Sequence, residues 1–451
     1  MIVLRRRLVY WLIKEYIKKW RKTILLCFVV GLVAFFSLQI LYKPIFSKIT
    51  LTRKESIGLV GTYTLDTLPT TILQQLSQGL TTVSSDGSIK GDLATSWKIE
   101  NDGKRYIFDL RKDAYFSDGK SVTSDLVDYN FSGVSVKKLS KYTLVFDLKE
   151  NYAPFLISVS RPVFRKGFIG TGEYKITDVK LNGNFVQTVT LSLVKNQYSA
   201  KIYRFYSNTN SLKTAFLLGE IQKAEGLADT MYKNTSFVGF PNARVDKNVN
   251  YTKLVTLFYN TKDQYLSQRD VRTGLSLAIP DDILYGKRAY TLFPPMLWAY
   301  REEYLYTQDL SNAKLLTKDL KSNDNNFSAT ITIKTLPKYK DVAGQISKAW
   351  GKIGIKSKTE TVDTIPSAFQ IFLGDFSVPK DPDQYSLWHT GQESNITKYE
   401  NKRIDKLLED GRKTIDMTER KKIYADFQKY LLADSPAAFL FFPYEYTITR
   451  K

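Results

Sequence analysis

A single histidine, His389, and a single cysteine, Cys27, are all that this 451-residue chain offers of the side chains that most often act as general bases or hold transition metals. With one imidazole a multi-histidine metal site is impossible, and a Ser-His-Asp or Cys-His arrangement has only His389 to build on. One cysteine rules out an intrachain disulfide framework and a cysteine-ligated zinc site. These absences argue against a hydrolase or a metalloenzyme. The expectation is a protein that is not an enzyme, with no cofactor and no metal site. What the chain holds in quantity is rings, 29 Tyr and 26 Phe. Rings in such number fill cores and, at a surface, line binding clefts.

Charge is uneven. The chain carries a net +21, of which +7 lies in residues 1–22, where eight Lys/Arg, from Arg5 to Lys22, face one acid, Glu15. Beyond Lys54 no dense basic stripe occurs, so a nucleic-acid partner is not expected. Ile24–Tyr42 follows the basic cluster and is 19 residues without a charge. At about 1.5 Å per residue it matches a hydrocarbon core of roughly 30 Å. Basic residues on its N-terminal side place that end in the cytoplasm and the rest of the chain outside. Trp11, Tyr16 and Trp20 interleave with the cluster, as in a segment at the headgroup level. No A-x-A pattern follows the apolar run, and Cys27 sits near its start behind bulky Leu26, so an uncleaved anchor is expected ahead of a cleaved signal or a lipoprotein.

The remainder reads as mixed α/β. Trp97–Glu100 and Tyr106–Leu110 alternate apolar and polar residues around Asn101-Asp102-Gly103-Lys104, which predicts a β-hairpin. Strands are also expected at Tyr142–Leu148, Val186–Leu193, Ala329–Lys334 and Ala438–Tyr446. Helices are expected at Thr123–Asn130, Leu212–Gly219, Asp270–Ala278, Asp309–Leu320 and Asp341–Ile353. Across residues 402–432 apolar residues recur at helical spacing, with Thr418 as a cap and Ser435-Pro436 as a stop.

One ordered set of motifs goes further. Gly79-Leu80-Thr81, Asp86-Gly87, Leu93-Ala94-Thr95-Ser96-Trp97, Asp102-Gly103-Lys104-Arg105-Tyr106 and Phe116-Ser117-Asp118-Gly119-Lys120 follow one another at defined spacing. This stretch resembles the signature region of the family 5 extracellular solute-binding proteins, the oligopeptide, dipeptide and nickel-binding type. Gly170-Thr171-Gly172, Leu257–Ala278 and Asp381–His389 are similar to later segments of that family, so the likeness spans about residues 57–445. It implies a two-lobed periplasmic-binding-protein-like α/β fold (type II, cluster C) with mixed sheets, preceded here by one N-terminal transmembrane helix. The implied organisation is a basic cytoplasmic segment (1–22), an anchor (23–45), a tether (46–56), lobe I (57–255 with 437–451) and lobe II (256–436). Typical members run on past the last crossing strand, which suggests a trimmed lobe I or an incomplete sequence.

The resemblance also implies a monomer in the cell membrane whose extracytoplasmic part captures peptide and hands it to the permease of an ABC transporter. Another solute, such as an oligosaccharide or a metal chelate, and a sensor or scaffold role stand as alternatives. A peptide presents charged ends and an extended backbone, so its cleft needs a carboxylate for the ammonium and strand edges for the backbone. In peptide-binding relatives an Asp in a Gly-Asp loop meets the amino terminus. Asp375 matches that position, with Asp381 and Asp383 as fallbacks, in a loop longer than in dipeptide-type members. Trp388 and His389 follow as candidate cleft residues. Against these stand plainer readings: Asp381-Pro382-Asp383 as a turn, and His389 as a satisfied structural histidine. Phe293–Trp298 is a pocket wall or a packed loop, Gly170 and Gly172 serve positive φ, and Arg272 makes a structural salt bridge.

Overall fold

The computed structural model describes residues 6–48, 53–196, 199–282, 285–305, 307–318, 320 and 330–451. Arg5 of the basic cluster, residues 49–52 of the tether and Ala329 of an expected strand lie outside the described residues. Helix α1 (Arg6–Lys48) belongs to a first unit, which also takes in Arg53–Lys54, Asn196 and Ser199–Ala200, and it continues without a break from the basic segment into the uncharged one. Its 43 residues correspond to about 64 Å. Within it, Tyr10–Ser37 is long and apolar enough to cross a membrane.

The second unit is built on strands. After β1 (Arg53–Val60) come a short hairpin, β2 (Thr81–Val83) with β3 (Ile89–Gly91), and a four-stranded antiparallel sheet. That sheet has the order β4 (Ala94–Glu100), β5 (Arg105–Leu110), β7 (Thr143–Leu148), β6 (Val134–Ser140). The expected hairpin is present between β4 and β5, with Asn101, Asp102 and Gly103 all at positive φ. In β5, Tyr106, Phe108 and Leu110 alternate into a core with Phe146 and Phe155, the period-two pattern of a half-covered sheet.

The large sheet gathers β8 (Tyr174–Asn182), β9 (Phe185–Leu193), β10 (Ser199–Tyr206), β1 and β11 (Lys223–Leu227) on one side. A two-residue hairpin, β12 (Met231–Tyr232) with β13 (Thr235–Ser236), stands apart, and β14 (Ala243–Val249) pairs with the last strand. On the other side lie β15 (Lys253–Tyr259), β16 (Gly286–Arg288), β17 (Thr330–Thr335), β18 (Lys356–Thr361) and β19 (Ile371–Ser377). The last strand, β20 (Ala437–Arg450), joins the two sides: its first part pairs with β15 and its end with β11 and β14. Leu254–Tyr259 in β15 are buried on both faces. Val255, Leu257 and Tyr259 enter one core, Leu254 and Phe258 the other, so this strand separates two hydrophobic clusters.

Helices α2 (Thr70–Leu76), α3 (Phe155–Ser158), α4 (Thr209–Leu218), α5 (Arg269–Leu277), α6 (Leu310–Leu316), α7 (Lys340–Lys352) and α8 (Tyr385–Trp388) precede a final pair, α9 (Lys402–Lys413) and α10 (Met417–Asp434). Helix α4 starts on Asn208, whose side chain accepts from Ser211 N, and stops on Gly219 at φ +81°. The cap of α10 is Asp416, bonded to Glu419 N at 2.8 Å, rather than Thr418. Asp309 caps α6, which ends at Leu316; Thr317 and Lys318 form a turn, and Leu320, the end of the expected span, is helical again. No α-helix forms over Thr123–Asn130. Only Ser124–Leu126 make a 3-10 turn, because Ser124 bonds through its hydroxyl to Ser140 O and through its N–H to Lys141 O, while Val127 turns extended. Tertiary partners there displace the helical ones.

Two further expectations change their physical basis. Gly170 and Gly172 do not take positive φ; a Cβ on either would meet the backbone oxygens of Leu76 and Gln75, so close approach to α2 requires them. Arg272 donates not to a carboxylate but to four main-chain carbonyls, of Leu266, Ser267, Asp434 and Ser435. Burial pushes its pKa down, and the carbonyls at the end of α10 need those donors.

Candidate functional site

Asp375 lies on β19, between β17 (parallel) and β15 (antiparallel), directly opposite Val255. Ile371 and Leu373 point into the core beside α7, and two residues on the same alternation carries the Asp375 side chain to the edge of that core. There its Oδ1 accepts from Lys338 Nζ at 2.7 Å. Lys338 comes from the 3-10 turn Pro337–Tyr339, placed by the proline that follows β17. Burial, then the neighbouring Asp375 carboxylate, push the Tyr339 phenol above its usual range. Lys338 and Tyr339 line a cavity of about 240 Å³ where β11, β15 and β20 come together, which Lys253, Tyr285, Tyr444 and Glu445 also border.

Asp381 is elsewhere, and buried. Its carboxylate takes two hydrogen bonds from the Arg420 guanidinium, at 2.7 and 2.8 Å, and one from Asp383 N at 2.9 Å. Burial opposes the charge on Arg420, yet Asp381 outweighs it and holds the guanidinium above its ordinary pKa. Such a carboxylate has little capacity left for a ligand. Trp388 is likewise in the core, edge-on to Phe439, with no exposed surface. Phe293–Trp298 packs into the same core.

Asp383 and His389 stand behind a second, larger cavity of about 710 Å³, walled in part by Tyr152, Phe155, Tyr385, Glu409 and Arg412. Asp383 accepts from Arg412 Nε at 2.9 Å; burial pushes its carboxyl up and the Arg412 charge partly offsets that. The Arg412 guanidinium lies over Tyr385 at 4.3 Å and Tyr152 at 5.4 Å. His389 stacks on Tyr385, donates from Nδ1 to Thr390 O at 2.8 Å, and sets Nε2 3.2 Å from Glu409. Its ring is held on three sides. Of the five candidates, Asp375 thus stands behind the first cavity, Asp383 and His389 behind the second, and Asp381 and Trp388 in the core. Among the described residues no cluster of three or more His, Cys, Asp or Glu is arranged to hold a metal ion. Lys338, Tyr339, Arg412 and Arg420 were missed from sequence. Only Pro337 marked one of them, as a turn, with no sign of which carboxylate the turn would reach.

The model for bacterial extracellular solute-binding proteins, family 5 middle, matches residues 88–398. The chain belongs to that family. Its curated relatives include the probable D,D-dipeptide-binding periplasmic protein DdpA of Escherichia coli, 23% identical over 447 residues, covering 84% of this chain and 85% of that protein. Among solved structures, NikZ from Campylobacter jejuni in complex with Ni(L-His) aligns with a TM-score of 0.71 at 23% identity, over 89% of this chain and 94% of that one. The oligopeptide-binding protein AppA from Bacillus subtilis, in complex with a nonapeptide, aligns at 0.67 and 21% identity, over 89% and 95%. These likenesses establish the fold. This family 5 protein has the two-lobed, mixed-sheet α/β fold of type II, cluster C, with one apolar helix at its N-terminal end. The named relatives are binding proteins, not enzymes.

Proposed function

We propose that this protein captures peptides in an interlobe cleft outside the cell and delivers them to an ABC permease. Lobe I would comprise residues 57–255 with 437–451, and lobe II residues 256–436. β15 and β20, which link the two sides of the large sheet, are the crossing strands in this reading. The observation that carries it is the setting of Asp375, which lies opposite Val255 of β15 and is bonded to Lys338, a residue that lines the 240 Å³ cavity beside both strands. An ammonium there meets a carboxylate, and the neighbouring strands supply backbone partners. The volume lies just under the usual range of about 300–1,000 Å³ for ligand pockets, which favours short peptides. Asp375 is the primary ligand contact, while Asp381, Asp383, Trp388 and His389 act through the shape of the loop and the walls. Residues 1–22 are cytoplasmic, 23–45 anchor the monomer as a single pass, and 46–56 tether it. Several relatives are named for di- or oligopeptides, which supports the cargo assigned here.

The test is thermal unfolding of the full chain in detergent against di- to decapeptides, sugars and nickel chelates. A ligand at about 100 times its dissociation constant adds roughly 2.7 kcal/mol of stability. Peptides are expected to stabilise the wild type, and Asp375→Asn is expected to lose most of that gain. Stabilisation by sugars or nickel chelates alone would overturn the peptide assignment while leaving the family intact.

A further inference from the structure

Asp375, as the receptor for a ligand's ammonium, already holds an ammonium of the protein's own. Lys338 Nζ lies 2.7 Å from its Oδ1 and 4.8 Å from the centroid of the Tyr339 ring. This is not a sealed structural pair. The Lys338 side chain is 53% exposed against 15% for Asp375, and an ion pair so open to water adds little to stability. The cavity it borders contains a second ammonium, Lys253, and one carboxylate, Glu445, which accepts from Asn250 Nδ2 at 3.3 Å. Counting Asp375, positive and negative groups balance, so no net field draws a cation in. Lys338 can swing away: its long stem is half in solvent, and among the described residues its end is held by the pairing with Asp375 and the ring contact.

We propose that Lys338 is a built-in competitor for Asp375, which a ligand's amino terminus must displace, and which thereby sets how strongly the site prefers free over N-blocked peptide ends. The inference rests on the peptide reading above. Its size follows from occupancy: a competitor that fills the site in about four molecules of five, as an exposed pair can, weakens the ligand about fivefold.

The experiment compares wild type, Lys338→Met, Asp375→Asn and the double variant, each as the full chain in detergent, titrated with the free-amino and N-acetyl forms of one peptide. Lys338→Met is expected to bind the free-amino form about fivefold more tightly, with the N-acetyl form unchanged to within about twofold. The gain is expected to vanish in the double variant. Acylation of Lys338, mapped by mass spectrometry, is expected to speed up in the wild type when the free-amino peptide is bound, because displacement frees the amine. An equal gain for both forms, no gain for either, or a gain that survives in the double variant would overturn the proposal while peptides remain the cargo. Failure of every variant to bind either form would bring down the peptide reading and this one with it.

Discussion

At the scale of single residues, the carboxylates of β19 and of the loop that follows it have different fates because their partners come from different elements. Asp381 is locked by Arg420 of α10, and both groups are almost without exposure. A buried pair is not in itself a large source of stability, since desolvation offsets the attraction, but breaking it strands a charge. Asp381→Asn leaves the Arg420 guanidinium buried with no counter-charge. It is expected to cost about 3–5 kcal/mol in urea unfolding. Asp375→Asn, at a half-open pair, is expected to change stability by under about 1 kcal/mol. The contrast separates a structural acid from a functional one. Equal costs would undo the distinction.

At the scale of elements, the four-stranded sheet shows a polar clamp on top of its aromatic core. Asp147 on β7 accepts from Arg105 Nε on β5 at 2.6 Å and from Lys137 Nζ on β6 at 2.8 Å, tying both neighbours of its strand. The hydrogen bond from Arg105, then that from Lys137, hold its pKa down at about 2. A carboxyl depressed on folding stabilises the native state above its unfolded pKa near 3.9, and that contribution is lost as the pH falls through about 2. The partners are partly exposed, so solvent screening limits the gain to about 1 kcal/mol. Asp147→Asn is therefore expected to lower stability by about that much at pH 7 and by almost nothing at pH 2. Denaturation curves at the two pH values check it; a deficit that persisted at pH 2 would point to packing instead of charge.

At the scale of the whole second unit, a short series of contacts spans the proposed lobes away from β15 and β20. Ala153 N donates to Arg412 O at 2.7 Å, Trp298 N to Asp86 O at 3.1 Å, and Lys380 Nζ to Val83 O at 2.9 Å. Asn151 Nδ2 adds a bond to Lys413 O at 3.2 Å. In the two-lobe reading these bonds hold the cleft shut, and opening exchanges them for water. A hydrogen bond from a charged donor is worth about 1.5–3 kcal/mol, so removing one shifts such an equilibrium roughly tenfold or more. Lys380→Met is accordingly expected to speed ligand dissociation about tenfold and to enlarge the radius of gyration of the free protein in small-angle scattering. An unchanged dissociation rate would mean that closure does not rest on this edge.

The sequence by itself determined what depends on short spacing. The uncharged run after a basic cluster, the Asn-Asp-Gly hairpin, the periodic helices of residues 402–432 and the ordered Asp-Gly and Trp motifs all survive into the structure, because each is encoded within one or two turns of chain. One histidine and one cysteine likewise limit which side-chain chemistry the chain can offer. The tertiary structure decided the rest. Thr123–Asn130 read as helix until Ser124 found partners at Ser140 and Lys141. Asp375 stood ahead of Asp381 and Asp383 by its match to a motif alone, and nothing along the chain told that they meet Lys338, Arg420 and Arg412, whose positions follow from β19 lying between β15 and β17 and from the packing of α9 and α10. Charge pairing across such distances depends on which elements become neighbours. Local periodicity says how an element folds, but not what its side chains will face.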